Sequence, residues 1–373
     1  MKVVFIMIPD SRDTILLRLI GRYRWLPYDM LDRFGFEGLG ESIRMLGKCG
    51  LLSVSRSKQY LNLTPKGYDL LGRLGFEQEQ PTKRAYANSV TLRRRLESAS
   101  IMLTALRAGI DTLRDDIDSL RGQPVFLPSF AFRSAAMNPM SNCSCAGFGH
   151  WGDKAYMLHY VSPGSKGMFL INELQTFHNL SSVFSDRLDE PEAMVIAGSS
   201  YRQAYGQVMA TTLSSRHGVR GFNDFADVYR RVDMPVHLLS CNDAGAMQLA
   251  LMRQPGYIAR IAHAAFGSRW SPHDDSIPEA DGLIDGNRTL LIAADMDIRR
   301  AGRVVGEAKR LGNRGVALVA FKAQLEELLM GLFPRDGNLV HLRIEQPVLD
   351  VAFGKGFSLC PLDGKQEEGD IHA

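Results

Sequence analysis

Five cysteines in 373 residues, an odd number scattered along the chain, are too few for the disulfide framework of a small secreted protein. A reducing cytoplasm is the expected compartment. Long apolar runs are missing as well. No stretch approaches the roughly 18 to 20 residues that span a bilayer, so no membrane association is expected. The opening MKVVFIMIP reaches Pro9 without a small-residue cleavage site, and it is not read as a secretory leader. No Walker loop and no Gly-x-Ser-x-Gly elbow occurs, which removes the two commonest signatures of nucleotide hydrolysis and serine hydrolysis. A strong net charge is lacking too, at +3.

What is present is an ordinary globular composition, 45% hydrophobic and 23% charged, on a chain long enough for two or three domains. The charge is unevenly spread. Residues 1–121 carry an excess of about six basic groups, leaving the remainder slightly acidic. A basic front end on a near-neutral body suggests a head that binds a polyanion.

The first 76 residues supply a pattern for that head. Ser11 or Asp13 can cap a helix that carries Ile15, Leu16, Leu19 and Ile20 on one face. YDMLDRFGF reads as a short second helix after Pro27. A third begins near Leu39, burying Leu39, Ile43 and Leu46 and stopping at Gly50. This spacing leaves Ser42, Arg44, Met45 and Lys48 on the other faces. LLSVSRS and QYLNLT then alternate around Arg56, Ser57 and Lys58 as a hairpin. Thr64 caps and Pro65 opens a last helix, PKGYDLLGRLG. Three helices, a hairpin and a helix describe a winged helix-turn-helix, whose third helix enters the major groove of double-stranded DNA while the hairpin tip meets the backbone. The expected DNA-binding residues are Ser42, Arg44, Met45, Lys48, Arg56 and Lys58.

The runs RDTILLRLIGRYRWLPYDMLDRF, SIRMLGKCGLL and YLNLTPKGYDLL resemble the N-terminal domain of the replication-relaxation family, over residues 1–120. The resemblance implies a protein of a plasmid or conjugative element, acting in replication, mobilisation or its regulation. It also implies that the C-terminal part can be a restriction-endonuclease-like domain.

Residues 77–122 read as one long amphipathic helix. Leu92, Leu96, Ala99, Leu103, Leu106, Ile110, Leu113, Ile117 and Leu120 fall at alternating steps of four and three. That heptad stripe suits either a homodimer seam through residues 92–120 or a helix lying on its own chain.

Residues 123–373 alternate strand and helix patterns, as an α/β domain does. KAYMLHYV and GMFLINEL read as one hairpin, and GLIDGNRTLLIAADMD as a second. Each leads into helix–strand–helix runs, the pattern of a degenerate internal repeat. An endonuclease site of the kind that the resemblance implies needs an acid on one strand and an acid-x-Lys on the next to hold a divalent metal. Asp281 fits the first place. The second falls on Ala293 or Ala294, and no lysine follows. Around Glu173 the lysine position is Gln175. Asp281, Asp295 and Asp297 therefore read first as hairpin and cap residues, and neither a metal nor a cofactor is expected. GFGHWG matches G-x-G-x-x-G, but a strand follows it rather than precedes it, so it is not a dinucleotide loop. Cys143 and Cys145 with His150 lack zinc-ligand spacing and read as a mobile loop. His273-Asp274-Asp275 reads as solvated loop, and His217 and His237 have no evident partner.

The whole is thus expected to be an α+β or α/β multidomain protein that binds DNA. A metal-dependent nuclease or relaxase, or a ligand-sensing transcription regulator, stands as the alternative. Catalytic residues are not assigned.

Overall fold

The computed structural model describes residues 11–76, 89–114, 124–132, 145–162, 168–170, 192–209, 222–224, 234–312 and 314–362. The fold is mixed α and β, and no helix among the described residues is long and apolar enough to cross a membrane.

The head runs α1 (Ser11–Tyr23), β1 (Leu26–Pro27), α2 (Met30–Arg33), α3 (Leu39–Lys48), β2 (Leu52–Val54), β3 (Tyr60–Leu63) and α4 (Pro65–Arg73). Its antiparallel sheet has the order β1-β3-β2, with Leu26 opposite Leu61 and Leu52 opposite Leu63. Strand β1 has no separate signal in the sequence. It exists because Leu26 and Pro27 can pair with the returning edge of the hairpin and bury their side chains. The TPKG turn is a cap with a tether. Thr64 Oγ1 accepts the Gly67 amide at 3.2 Å and donates to the Gly50 carbonyl at 2.6 Å. A Cβ at Gly67 would lie 2.2 Å from the Leu51 carbonyl oxygen, so only glycine lets α4 sit this close to the hairpin. Thr64→Ala removes both bonds. Its expected effect is a loss of about 1–2 kcal/mol, read as a lower urea midpoint with an unchanged m value.

Helix α5 (Ser89–Arg107) is shorter than its heptad pattern. Gly109 adopts φ +75°, and Ile110 N donates to Ala105 O at 2.9 Å, which closes the helix in a Schellman motif. The stripe does not form an open seam. Ala99, Leu103 and Ile110 are buried within the chain, and so are Ile101, Met102 and Ala105 on the other side of the helix. The head packs on one flank of α5 and the first body sheet on another, giving one continuous core that includes Leu17, Leu26, Met102, Phe126 and Leu158. The homodimer seam through residues 92–120 is thereby corrected. A helix apolar on more than one side is an internal helix, and residues on both sides of the supposed stripe are already covered. Ile117 and Leu120 lie outside the described residues.

The body holds two five-stranded sheets. The first uses β4 (Val125–Pro128), β5 (Gly147–Trp151), β6 (Lys154–Tyr160), β8 (Ala193–Gly198) and β10 (Val236–Ser240), in the order β10-β8-β6-β5-β4. A separate pair joins β7 (Met168–Leu170) to β9 (Phe222–Asp224). Helices α6 (Tyr201–Met209), α7 (Asp243–Met252) and α8 (Tyr257–Phe266) follow β8 and β10. The second sheet is β11 (Trp270–Ser271), β12 (Leu283–Ile284), β13 (Arg288–Ile292), β14 (Val316–Ala320) and β15 (Leu339–Arg343), joined in that order. Its helices are α9 (Ile298–Arg310), α10 (Lys322–Gln324, continued by a π-turn Leu325–Leu329 and Met330–Leu332) and α11 (Gln346–Phe353).

Both sheets have two antiparallel pairings followed by two parallel ones. The two sheets thus repeat one topology, with β5–β6 and not the expected KAYMLHYV–GMFLINEL pair as the hairpin of the first. The two sheets share a core of Met194, Ile196 and Leu238 from the first and Leu291, Leu318 and Ala320 from the second.

One hairpin differs from the expectation. β6 pairs with β5 through the Gly152-Asp153 turn, not with the GMFLINEL segment. GFGHW is thus a fully buried strand that includes His150, and Cys145 is buried just before it rather than in a mobile loop. Glycines hid this strand from its composition. Cys143, Glu173, Gln175 and His217 lie outside the described residues.

Candidate functional site

On α3 the apolar spacing places Leu39, Ile43 and Leu46 inward, as expected. Ser42 goes with them. It is 2% exposed, and its hydroxyl has no hydrogen-bond partner among the described residues, so it is a core residue and not a surface contact. The correction has a simple cause. Ser42 stands three residues after Leu39, on the buried side of the turn, and its small side chain fits there. Met45 is half-buried. Arg44 and Lys48 are exposed.

Arg44 meets Glu41 at 3.6 Å with both side chains more than 60% exposed, a pair worth a few tenths of a kcal/mol. Lys48, Arg56 and Lys58 form no ion pair among the described residues, and all three are exposed. Arg56 and Lys58 stand at the tip of the β2–β3 hairpin, where Ser55 accepts the Gln59 and Tyr60 amides and Lys58 takes φ +52°. A hydroxyl-braced tip with cations pointing outward can deliver positive charge to a partner without first breaking a strong internal bond.

The head is fixed to the body by arginines. Arg107 Nε reaches Asp243 Oδ1 at 3.2 Å, its Nη1 donates to Cys360 O at 2.7 Å and its Nη2 donates to Gly35 O at 3.2 Å. Gly35 N donates to Asp243 Oδ2 at 3.0 Å. Arg33 donates to Cys241 O and to Ser100 Oγ, each at 3.2 Å. These cations are committed to holding domains together. Sequence alone cannot separate them from Arg44 and Lys48.

A second constellation lies in the body, where Asp281 and Asp295 do converge. What stands between them is Arg300. Its Nη1 donates to Asp281 Oδ1 at 2.8 Å, and its Nη2 donates to Ile292 O at 2.7 Å and lies 3.8 Å from Asp295 Oδ1. Asp281 Oδ2 also accepts the Ile292 amide at 2.6 Å. All three side chains are at most 16% exposed. Burial pushes the Asp281 carboxyl above the usual carboxylate range, with the Arg300 guanidinium and the Ile292 amide opposing that shift.

Around the trio several polar side chains are paired with backbone, although Arg300 Nε has no hydrogen-bond partner among the described residues. His237 Nδ1 is 3.0 Å from Asp295 O, Gln248 Nε2 donates to Asp295 O at 2.9 Å, and Gln324 Nε2 donates to Ala294 O at 2.8 Å. Tyr201 donates its hydroxyl to Gln248 at 2.9 Å. Asp297 is a helix cap, accepting the Arg299 and Arg300 amides, as expected. Among the described residues, no group of three or more His, Cys, Asp or Glu is placed to hold a metal ion. The cationic place between the two carboxylates belongs to a side chain of the protein itself.

Asp274 corrects another expectation. It is buried, accepts from Thr289 Oγ1 at 3.0 Å and pairs with Arg314 at 3.1 Å. It ties the loop before β12 to β13 and to the segment preceding β14, instead of lying in solvent.

Comparisons with protein-family models, with curated proteins and with solved structures find no match to this chain.

Proposed function

We propose that the chain is a double-stranded-DNA-binding protein whose head, residues 11–76, is a winged helix-turn-helix. The observation that carries this reading is the separation of cations in the head. Arg33 is consumed by internal contacts, while Arg44 and Lys48 on α3 and Arg56 and Lys58 at the hairpin tip are presented to solvent. The α1-β1-α2-α3-β2-β3-α4 order, with β1 paired to the hairpin, supports it. In that arrangement α3 reads the major groove and the hairpin tip meets phosphate. The replication or mobilisation setting follows from the resemblance to the replication-relaxation family.

For the body we propose a degenerate restriction-endonuclease-like domain that is not a nuclease centre. Arg300 fills the space between Asp281 and Asp295, and alanines occupy the positions where an acid would be needed. Removing Arg56 and Lys58 together is expected to weaken binding by the same factor on unrelated duplexes. It should also lower the slope of log K against log salt by about 1.8, near 0.9 per phosphate contact. Gel-shift titrations at several salt concentrations read both quantities. A wild type whose binding is absent or insensitive to salt would overturn the reading.

A further inference from the structure

An open cleft of 570 Å³ lies between the head and the body. Lys58 and Gln59 of the hairpin tip line it, together with Leu92, Arg93 and Leu96 from the start of α5. The first turns of α5 are therefore neighbours of the hairpin tip, although 34 residues separate Lys58 from Leu92 in sequence.

The three consecutive arginines of α5 have different fates. Arg95 is laid over the Phe130 ring, 3.7 Å from its centroid. Arg94 is exposed, and Arg93 is 54% exposed. Arg93 pairs with Glu97 at 3.6 Å. That pair runs basic-to-acidic along the helix, the weaker order, and contributes a few tenths of a kcal/mol. Glu97 itself is turned inward, 16% exposed, and accepts the Ser162 hydroxyl. Burial pushes its carboxyl above the usual range. The acid of this segment is drawn into the protein while two guanidiniums stay at the surface.

We propose that the DNA-contacting surface continues from the hairpin tip onto α5, where Arg93 and Arg94 hold the sugar-phosphate backbone of the same duplex. The proposal rests on the reading of the head given above. Charge complementarity selects the partner: Lys58 and Arg93 form a cationic strip along the cleft, and the Asp29 carboxylate there is paired with Arg33 at 2.9 Å. Arg94 adds an exposed cation at the next position of α5, and planar guanidiniums suit phosphate oxygens. A guanidinium held by one long ion pair exchanges it for a phosphate at little cost. The strip would lengthen the footprint without adding sequence preference, because it meets backbone and not base edges.

Arg93→Gln with Arg94→Gln, which keeps helix-forming side chains, tests this in the full chain. Affinity is measured on two unrelated duplexes across a salt series, beside an Arg44→Ala, Lys48→Ala variant. The expected result is a loss of about tenfold or more at 0.1 M salt, equal on both duplexes, with the salt slope reduced by about 1.8. A wild-type affinity and slope in the α5 variant, with binding lost in the α3 variant, would overturn the extension and leave the head's reading intact. A wild-type protein that binds neither duplex would overturn both.

Discussion

Arg44→Ala combined with Lys48→Ala is expected to cost roughly a hundredfold or more in duplex affinity. The two residues act differently. An arginine that reaches guanine O6 and N7 in the major groove is worth about 1–3 kcal/mol of discrimination, so Arg44→Ala should also flatten the preference among sequences. On the proposed reading, Lys48, near the end of α3, meets phosphate. Its loss should lower affinity evenly and reduce the salt slope by about 0.9. Neither side chain is buried, and the Arg44–Glu41 pair is exposed, so the thermal midpoint should move by little. Selection of preferred sites by the single variants, followed by anisotropy titrations, separates the roles. Equal loss on all sequences for Arg44→Ala would make it a phosphate contact as well.

Arg300→Met should produce the largest change in stability. It leaves Asp281 and Asp295 buried without their shared cation, a situation that costs about 3–5 kcal/mol. The sign of its pH dependence is fixed. Asp281 is already raised by burial in the wild type, so the stability it contributes is present below the ordinary carboxylate range and lost as pH rises through its folded value. Without Arg300 the neighbouring Asp295 charge pushes that value further up. The deficit of Arg300→Met should therefore grow as pH rises above the ordinary carboxylate range and shrink on acidification. Denaturant titrations of both proteins at several pH values measure it. A deficit that is absent, or independent of pH, would remove Arg300 as the charge that holds the pair.

Local signals made much of the head legible in the sequence. The Thr-Pro cap, the Gly50 stop and the alternation on both sides of Ser57 each act over a few residues, and all are found where spacing places them. Ser42 was missed because an apolar pattern counts only apolar residues, whereas a buried stripe admits a small hydroxyl between two leucines. The α5 stripe was legible as a stripe but not as an interface, since periodicity records which side is covered and not by what. Strand β5 was lost because glycines carry no β-forming side chain.

Arg300 was missed altogether, although one local anomaly marks it. Arg299 and Arg300 stand in the first turn of α9, where the helix dipole disfavours cations. Such a placement asks for a compensating acid from elsewhere in the fold. Asp281, 19 residues upstream, supplies it. Spacing along the chain does not reveal that partnership, because it forms through the pairing of β12 with β13 and the packing of α9.

The central claim, that the head binds duplex DNA through α3 and the hairpin tip, meets its most direct test in one comparison. Duplex affinity is measured by fluorescence anisotropy for the intact wild type and for a chain carrying Arg44→Ala, Lys48→Ala, Arg56→Ala and Lys58→Ala, with circular dichroism to show that both are folded. Four exposed cations removed from one surface should abolish the sequence-selective component and lower the salt slope by about 3 or more. A folded quadruple variant that binds as tightly as the wild type would contradict the claim.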